Sequence, residues 1–149
     1  MQPTIYFTEE HEMLRDQIRR FLAEEVAPHG EEWERDGMTP RAVLRRMGEL
    51  GLLGIQYPEA YGGAGMDQLG TVVLAEELGR SSFGGFAITV LVHTDMASPH
   101  LMHAGSAAQL ERYLPDVIAG RKITAVAVTE PDAGSDVAGM KTRARREGD

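Results

Sequence analysis

Residues Ile123–Thr142 read ITAVAVTEPDAGSDVAGMKT, and the fold turns on how this stretch is taken. It opens apolar, and Val126, Ala127 and Val128 suit a buried strand. Thr129-Glu130-Pro131 stops the run, because Pro131 has no N–H and biases Glu130 toward an extended conformation. Asp132-Ala133-Gly134-Ser135-Asp136 follows, and every residue in it but Ala133 is a turn former. A strand that ends in such a loop turns consecutive backbone N–H groups outward. That geometry receives phosphate or cofactor oxygens without a cationic side chain.

Upstream of this stretch the periodicity is helical. Thr8 suits an N-cap, with Glu9 and Glu10 in the first turn, where the helix dipole favours anions. Leu14, Ile18, Phe21, Leu22 and Val26 recur at helical spacing, and Arg15, Asp16, Arg19, Arg20 and Glu24 take the other face. Pro28 ends or bends that helix, and His29–Asp36 continues it around Trp33, the single tryptophan. Thr39-Pro40 starts a helix striped by Val43, Leu44, Met47 and Leu50 and stopped by Gly51. Leu52–Pro58 is a buried connector, and Tyr61–Gly65 a glycine-rich loop. Asp67 caps a helix whose Leu69, Val72, Val73 and Leu78 face inward. Phe86–His103 is the most apolar helix and should be central, with a kink or break at Pro99. Ser106 caps a short helix with Leu110 and Tyr113, and Leu114–Gly120 is a further turn.

After Arg121 the pattern changes. Ile123–Thr129 is strand-like, and Met140–Arg146 suits a second strand. The fold class is therefore mainly α: a helical N-terminal domain over 1–121, then the first strands of a β-domain over 122–149. Two strands are marginal alone, which implies a truncated second domain.

Composition narrows the chemistry. The net charge is −8 over 149 residues, which argues against nucleic acid or an anionic membrane surface as the main partner. With no cysteine there is no disulfide, thiolate metal site or cysteine nucleophile. No segment resembles a signal peptide or a bilayer span, so a cytoplasmic protein is the default expectation.

The string V-T-E-P-x-A-G-S-D at Val128–Asp136, followed by A-G-x-K-T at Ala138–Thr142, resembles the signature of the flavin-dependent acyl-CoA dehydrogenases. Phe7–Glu10, Pro58–Gly65 and Tyr113–Gly120 fall in the order and spacing of that family, so the resemblance runs from about Tyr6 to the last residue. Val92-His93-Thr94-Asp95, ahead of the Gly-Ser-x-x-Gln run at Gly105–Gln109, is similar to its long-chain branch. The resemblance implies a helical N-terminal domain, a middle β-domain and a C-terminal helical bundle beyond this chain. It implies oxidation of an acyl-CoA to the trans-2-enoyl-CoA with FAD, as in fatty-acid β-oxidation. An electron-transfer flavoprotein would be the acceptor, and a homotetramer the assembly.

By the same resemblance, Val126, Val128, Thr129, Gly134 and Ser135 bind FAD through backbone and hydroxyl groups, and Ser135 also touches the acyl-CoA. An aromatic residue is frequent in the family where Val126 stands; valine keeps the backbone contact and loses stacking area. The family's base is a glutamate expected beyond Asp149, so the chain alone should be inactive, and Glu130 is expected to hold the loop. Met96, Met102 and Phe86-Ala87-Ile88 border the acyl channel or simply fill the core. Two other functions stay open: a flavin oxidase or monooxygenase of the same fold, and a stand-alone non-catalytic helical module.

Other chemistry finds less support. His93, His100 and His103 are offset for one helix face, but Pro99 spoils that geometry, and hydrogen-bonded or solvent-facing histidines fit better than a metal site. Gly134–Thr142 falls short of a phosphate-binding P-loop because Met140 separates Gly139 from Lys141. G-x-S-x-G is missing, and Tyr61–Gly65 is too short for a dinucleotide fingerprint.

Overall fold

Seven α-helices, with the widened and 3-10 turns between them, account for most of the residues in a computed structural model that describes residues 5–148. Met1–Thr4 and Asp149 lie outside the described residues. Helix α1 (Glu9–Phe21) passes into a widened turn over Leu22–Val26 before α2 (Gly30–Asp36) and α3 (Arg41–Glu49). Then come α4 (Gln68–Arg80) and α5 (Gly84–Leu91), a second widened turn at Val92–Ala97, α6 (Ser98–Ala104) and α7 (Ala107–Ile118). No helix among the described residues is long and apolar enough to cross a membrane.

The expected stripe on α1 is buried, with Leu14, Ile18, Phe21, Leu22 and Val26 joining Val43, Leu44 and Met47 of α3. The connector supplies Leu52, Leu53 and Ile55, and α4 and α5 add Val73, Leu74, Leu78, Phe86 and Val90. A second cluster holds Tyr57, Leu114 and Ile118. Two expectations about burial need correction. Val72 is exposed and Leu74 takes its place in the core. Arg15, read as polar-face, is buried among carboxylates of α4.

Both widened turns lie just ahead of a proline. Ala27 N–H bonds Leu22 O and Ser98 N–H bonds His93 O, each one residue further back than in an α-helix. Pro28 and Pro99 can donate nothing, and a wider turn relieves the ring's clash with the turn before it. In this register the next donor, for Thr94 O, would be Pro99. Side chains substitute for it: Tyr57 Oη donates to Thr94 O at 3.1 Å and Gln56 Nε2 at 3.3 Å. Tyr57 is also 2.7 Å from Ser98 Oγ, which donates to His93 O. Tyr57→Phe is thus expected to lower stability by about 1–2 kcal/mol, with Gln56 retaining part of the bond. Urea unfolding of the two proteins measures the difference.

Pro115 does not end its helix. The expected turn over Leu114–Gly120 is helical to Ile118, because Leu114, Val117 and Ile118 are buried on one side. Burial of three apolar side chains outweighs one lost backbone bond. Ser106 and Gln109 close a reciprocal capping box at its start.

The expected strands do not form among the described residues. Ile123–Thr129 makes no ladder, and Met140–Arg146 does not pair with it. Val126 is half-buried and Val128 is 39% exposed, so the run is not a buried strand here. A strand needs a neighbouring edge, and the two segments meet through a side chain instead, as described below.

Candidate functional site

The Thr-Glu-Pro-Asp-Ala sequence closes a tight turn. Glu130 N–H donates to Ala133 O at 2.7 Å, and Ala133 N–H returns to Glu130 O at 3.3 Å. Pro131 takes the second position, where its fixed φ is pre-set. The turn brings the two ends of the motif together: a Cβ built on Gly134 would lie 4.0 Å from Thr129 Cγ2. Ser135 follows directly. The structure therefore gathers Thr129, Gly134 and Ser135 at one turn, with Val126 and Val128 on the segment leading to it.

The donors of this turn are uncommitted. The N–H groups of Val126, Val128, Thr129, Gly134 and Ser135 have no partner among the described residues, nor have the Thr129 and Ser135 hydroxyls. Thr129, Gly134 and Ser135 are exposed. Two of the nearby carboxylates, Glu130 and Asp132, are engaged. The Glu130 carboxylate accepts the N–H groups of Lys141 and Thr142, each at 2.8 Å, together with the Thr142 hydroxyl. Lys141 Nζ lies 3.2 Å from Asp132. Exposed neutral donors, with the Glu130 and Asp132 carboxylates tied back, suit an oxygen-rich planar ligand such as FAD.

Glu130 holds the loop, as expected. Hydrogen bonds from the Thr142 hydroxyl and then the Lys141 and Thr142 N–H groups keep its pKa below the usual carboxylate value. A base working near neutrality needs the opposite shift.

The residue that sequence reasoning undervalued is His93. It is fully buried, with Nε2 3.1 Å from Val117 O on α7 and Nδ1 3.1 Å from the Thr124 N–H. A carbonyl only accepts and an amide N–H only donates, so the neutral ring is protonated at Nε2. Burial pushes its pKa down, only partly opposed by the Val117 bond. Its partners lie 24 and 31 residues away in sequence, so spacing could not reveal them. His100 and His103 are exposed, and no group of metal-ligating side chains is found among the described residues. Of the acyl-channel candidates, Phe86 belongs to the main core and Met102 packs on the second cluster. Ile88 and Met96 are about half exposed.

Comparison with known proteins follows the same lines. The sequence model of the acyl-CoA dehydrogenase N-terminal domain matches residues 8–121. The mitochondrial long-chain specific acyl-CoA dehydrogenase of Mus musculus is 42% identical over 142 residues, covering 95% of this chain and 33% of that protein. The solved acyl-CoA dehydrogenase of Geobacillus kaustophilus matches with a TM-score of 0.86 at 38% identity, over 93% of this chain and 36% of that one. An acyl-CoA dehydrogenase of Bacillus anthracis, complexed with FAD, matches with a TM-score of 0.81 at 38% identity, over 91% of this chain and 23% of that one. The chain spans about a third of the length of the curated relatives it matches.

Proposed function

Because this chain belongs to the acyl-CoA dehydrogenase family, we propose that it forms the helical domain and one wall of the flavin site of an FAD-dependent acyl-CoA dehydrogenase. The Glu130–Ala133 turn carries this reading, since it sets the Thr129 and Ser135 hydroxyls beside Gly134 with their donors free. FAD, when bound, supplies the hydride acceptor for oxidation of an acyl-CoA to the trans-2-enoyl-CoA. The N–H groups of Val126, Val128 and Gly134 and the hydroxyl of Thr129 hold the cofactor's oxygens and nitrogens. Ser135 bonds both cofactor and thioester substrate. Ile88 and Met96 offer exposed apolar surface on the broken α5–α6 helix to the acyl chain.

The base is placed outside these residues, since the bonds from Thr142 and Lys141 hold the Glu130 pKa below the usual carboxylate value and so make it a weak base near neutrality. The helical domain is taken as 1–121 and the β-domain as beginning at 122. An electron-transfer flavoprotein would accept the electrons, and the full assembly would be a homo-oligomer. The bound FAD of the Bacillus anthracis relative supports the cofactor.

Titration with FAD, followed by flavin fluorescence, tests the reading. Thr129→Val and Ser135→Ala each remove one hydrogen bond, about 1–1.5 kcal/mol, and should each weaken binding roughly tenfold. Unchanged affinity in both variants, or no flavin binding by the parent protein, would sink the assignment. Dye reduction by the 149-residue chain with FAD and acyl-CoA is expected to be nil.

A further inference from the structure

Among the described residues, the hydrogen bonds that join Ile123–Ser135 to the helices all end on one residue. Thr124 N–H reaches His93 Nδ1 at 3.1 Å, and Thr124 Oγ1 lies 2.8 Å from Nδ1 and 3.1 Å from His93 O. Ile123 adds an apolar contact with the main core. Beyond Thr124 the segment has no ladder to hold it.

We propose that His93 is a positioning residue for the flavin wall: its Nδ1 lone pair anchors Thr124 and so holds Val126–Ser135 against the helical domain. The functional consequence rests on the flavin reading given above; the anchoring itself does not. Nε2 donates to Val117 O at 3.1 Å, which ties the ring to α7 and leaves Nδ1 unprotonated. The widened turn adds a second hold. His93 O takes the Ser98 N–H and the Ser98 hydroxyl and still lies within reach of Thr124 Oγ1.

Charged groups on the neighbouring elements are engaged elsewhere. Asp95 accepts the Thr94 hydroxyl at 2.5 Å, and Asp116 pairs with Arg121 and Lys122. The ring thus meets a carbonyl, an amide and a hydroxyl. Protonation of Nδ1 would replace the acceptor that Thr124 N–H needs with a second donor, and the anchor would be lost.

Two substitutions separate the roles of the two nitrogens. His93→Asn can present an acceptor near the Nδ1 position but loses the donor to Val117. His93→Gln can keep the donor near the Nε2 position but loses the acceptor. Nitrogen-15 relaxation on the 149-residue chain reads the backbone order of Thr124–Ser135. The parent and His93→Asn should stay near the rigid value, an order parameter of about 0.85, and His93→Gln and His93→Ala should fall below about 0.6.

Equal order in the Asn and Gln variants would overturn the proposal, because the ring would then be a space-filler. If no variant folds, the parent decides: a scalar coupling across the Thr124 N–H···Nδ1 bond supports the anchor, and its absence removes it. FAD titration of His93→Gln is read separately. A loosened segment with unchanged flavin affinity keeps the anchor and rejects the flavin wall.

Discussion

Glu77→Ala is expected to lower stability by about 3–5 kcal/mol, the usual result of removing one partner from a buried ion pair. Arg15 and Glu77 are only 3% and 2% exposed, on α1 and α4. Arg15 Nη1 lies 2.8 Å from Glu77 Oε1, and Arg19 binds the same carboxylate through Nε and Nη2, both at 2.9 Å. Without Glu77, Arg15 stays in the interface with half-exposed Glu76 and Glu12 as its remaining partners. Glu76→Ala removes an exposed partner from the same guanidinium and should cost no more than about 1 kcal/mol. The double change Arg15→Met with Glu77→Leu should cost less than either single change, since no buried charge is left unpaired. Urea unfolding of the parent, these three variants and the single changes Arg15→Met and Glu77→Leu is the measurement. Equal losses for Glu76→Ala and Glu77→Ala would contradict the assignment of Glu77 as the buried centre.

The same carboxylate sets a pH dependence. Burial pushes the Glu77 pKa up, but hydrogen bonds from Arg19 and Arg15 outweigh burial and leave it lowered. A group whose folded pKa lies below its unfolded value stabilises the fold above the unfolded value, about 4.3 for Glu. That contribution is lost as pH falls through the folded pKa. The parent should lose stability between pH 5 and strong acid more steeply than Glu77→Ala, which no longer carries the group.

What the sequence made legible follows from what is local. The apolar period of α1, the caps at Asp67 and Ser106, the break at Pro99 and the turn at Glu130–Ala133 depend on residues a few positions apart. Arg15 looked solvated because a helical period shows a face, not the helix that covers it, and its partners Glu76 and Glu77 lie on α4. Val72 and Leu74 exchanged roles for a related reason: α4 is apolar on several sides, so its period does not single out the buried face. The candidate site divides in the same way. Thr129, Gly134 and Ser135 form a motif readable in order, whereas the clamp from Glu130 to Thr142 and the anchor from His93 to Thr124 exist only once the chain has folded back. The pattern at Val126–Val128 reads as a buried strand, but an apolar run becomes a strand only beside a partner edge, and none meets it among the described residues.

The other large effect is expected at Gly120, where the chain leaving α7 approaches the middle of α3 backbone to backbone. Gly120 has φ +66°, and a Cβ there would fall 2.4 Å from Leu44 O and 2.7 Å from Leu44 C. A left-handed residue that is not glycine costs about 1 kcal/mol, and forcing backbone apart adds about 1–3 kcal/mol. Gly120→Ala should therefore lose about 2–4 kcal/mol, or on the order of 10 °C in melting temperature. Two other glycines separate the terms. Gly37 has φ +67° with nothing within 4 Å, so Gly37→Ala should show the conformational cost alone. Gly79 sits in α4 with nothing within 4 Å and no positive φ, so Gly79→Ala should gain about 0.5–1 kcal/mol from helix propensity. Thermal melts of the three variants should then rank Gly79→Ala above the parent, Gly37→Ala slightly below it and Gly120→Ala far below. If Gly120→Ala fell no further than Gly37→Ala, the backbone contact between Leu44 and Gly120 would be looser than the structure has it. The close approach matters to the site because Arg121 and Lys122, which follow Gly120, grip Asp116 and set the chain's entry to Thr124. A variant that shifts this junction should also lower the order of Thr124–Ser135, even though Gly120 touches none of the residues assigned to the flavin wall.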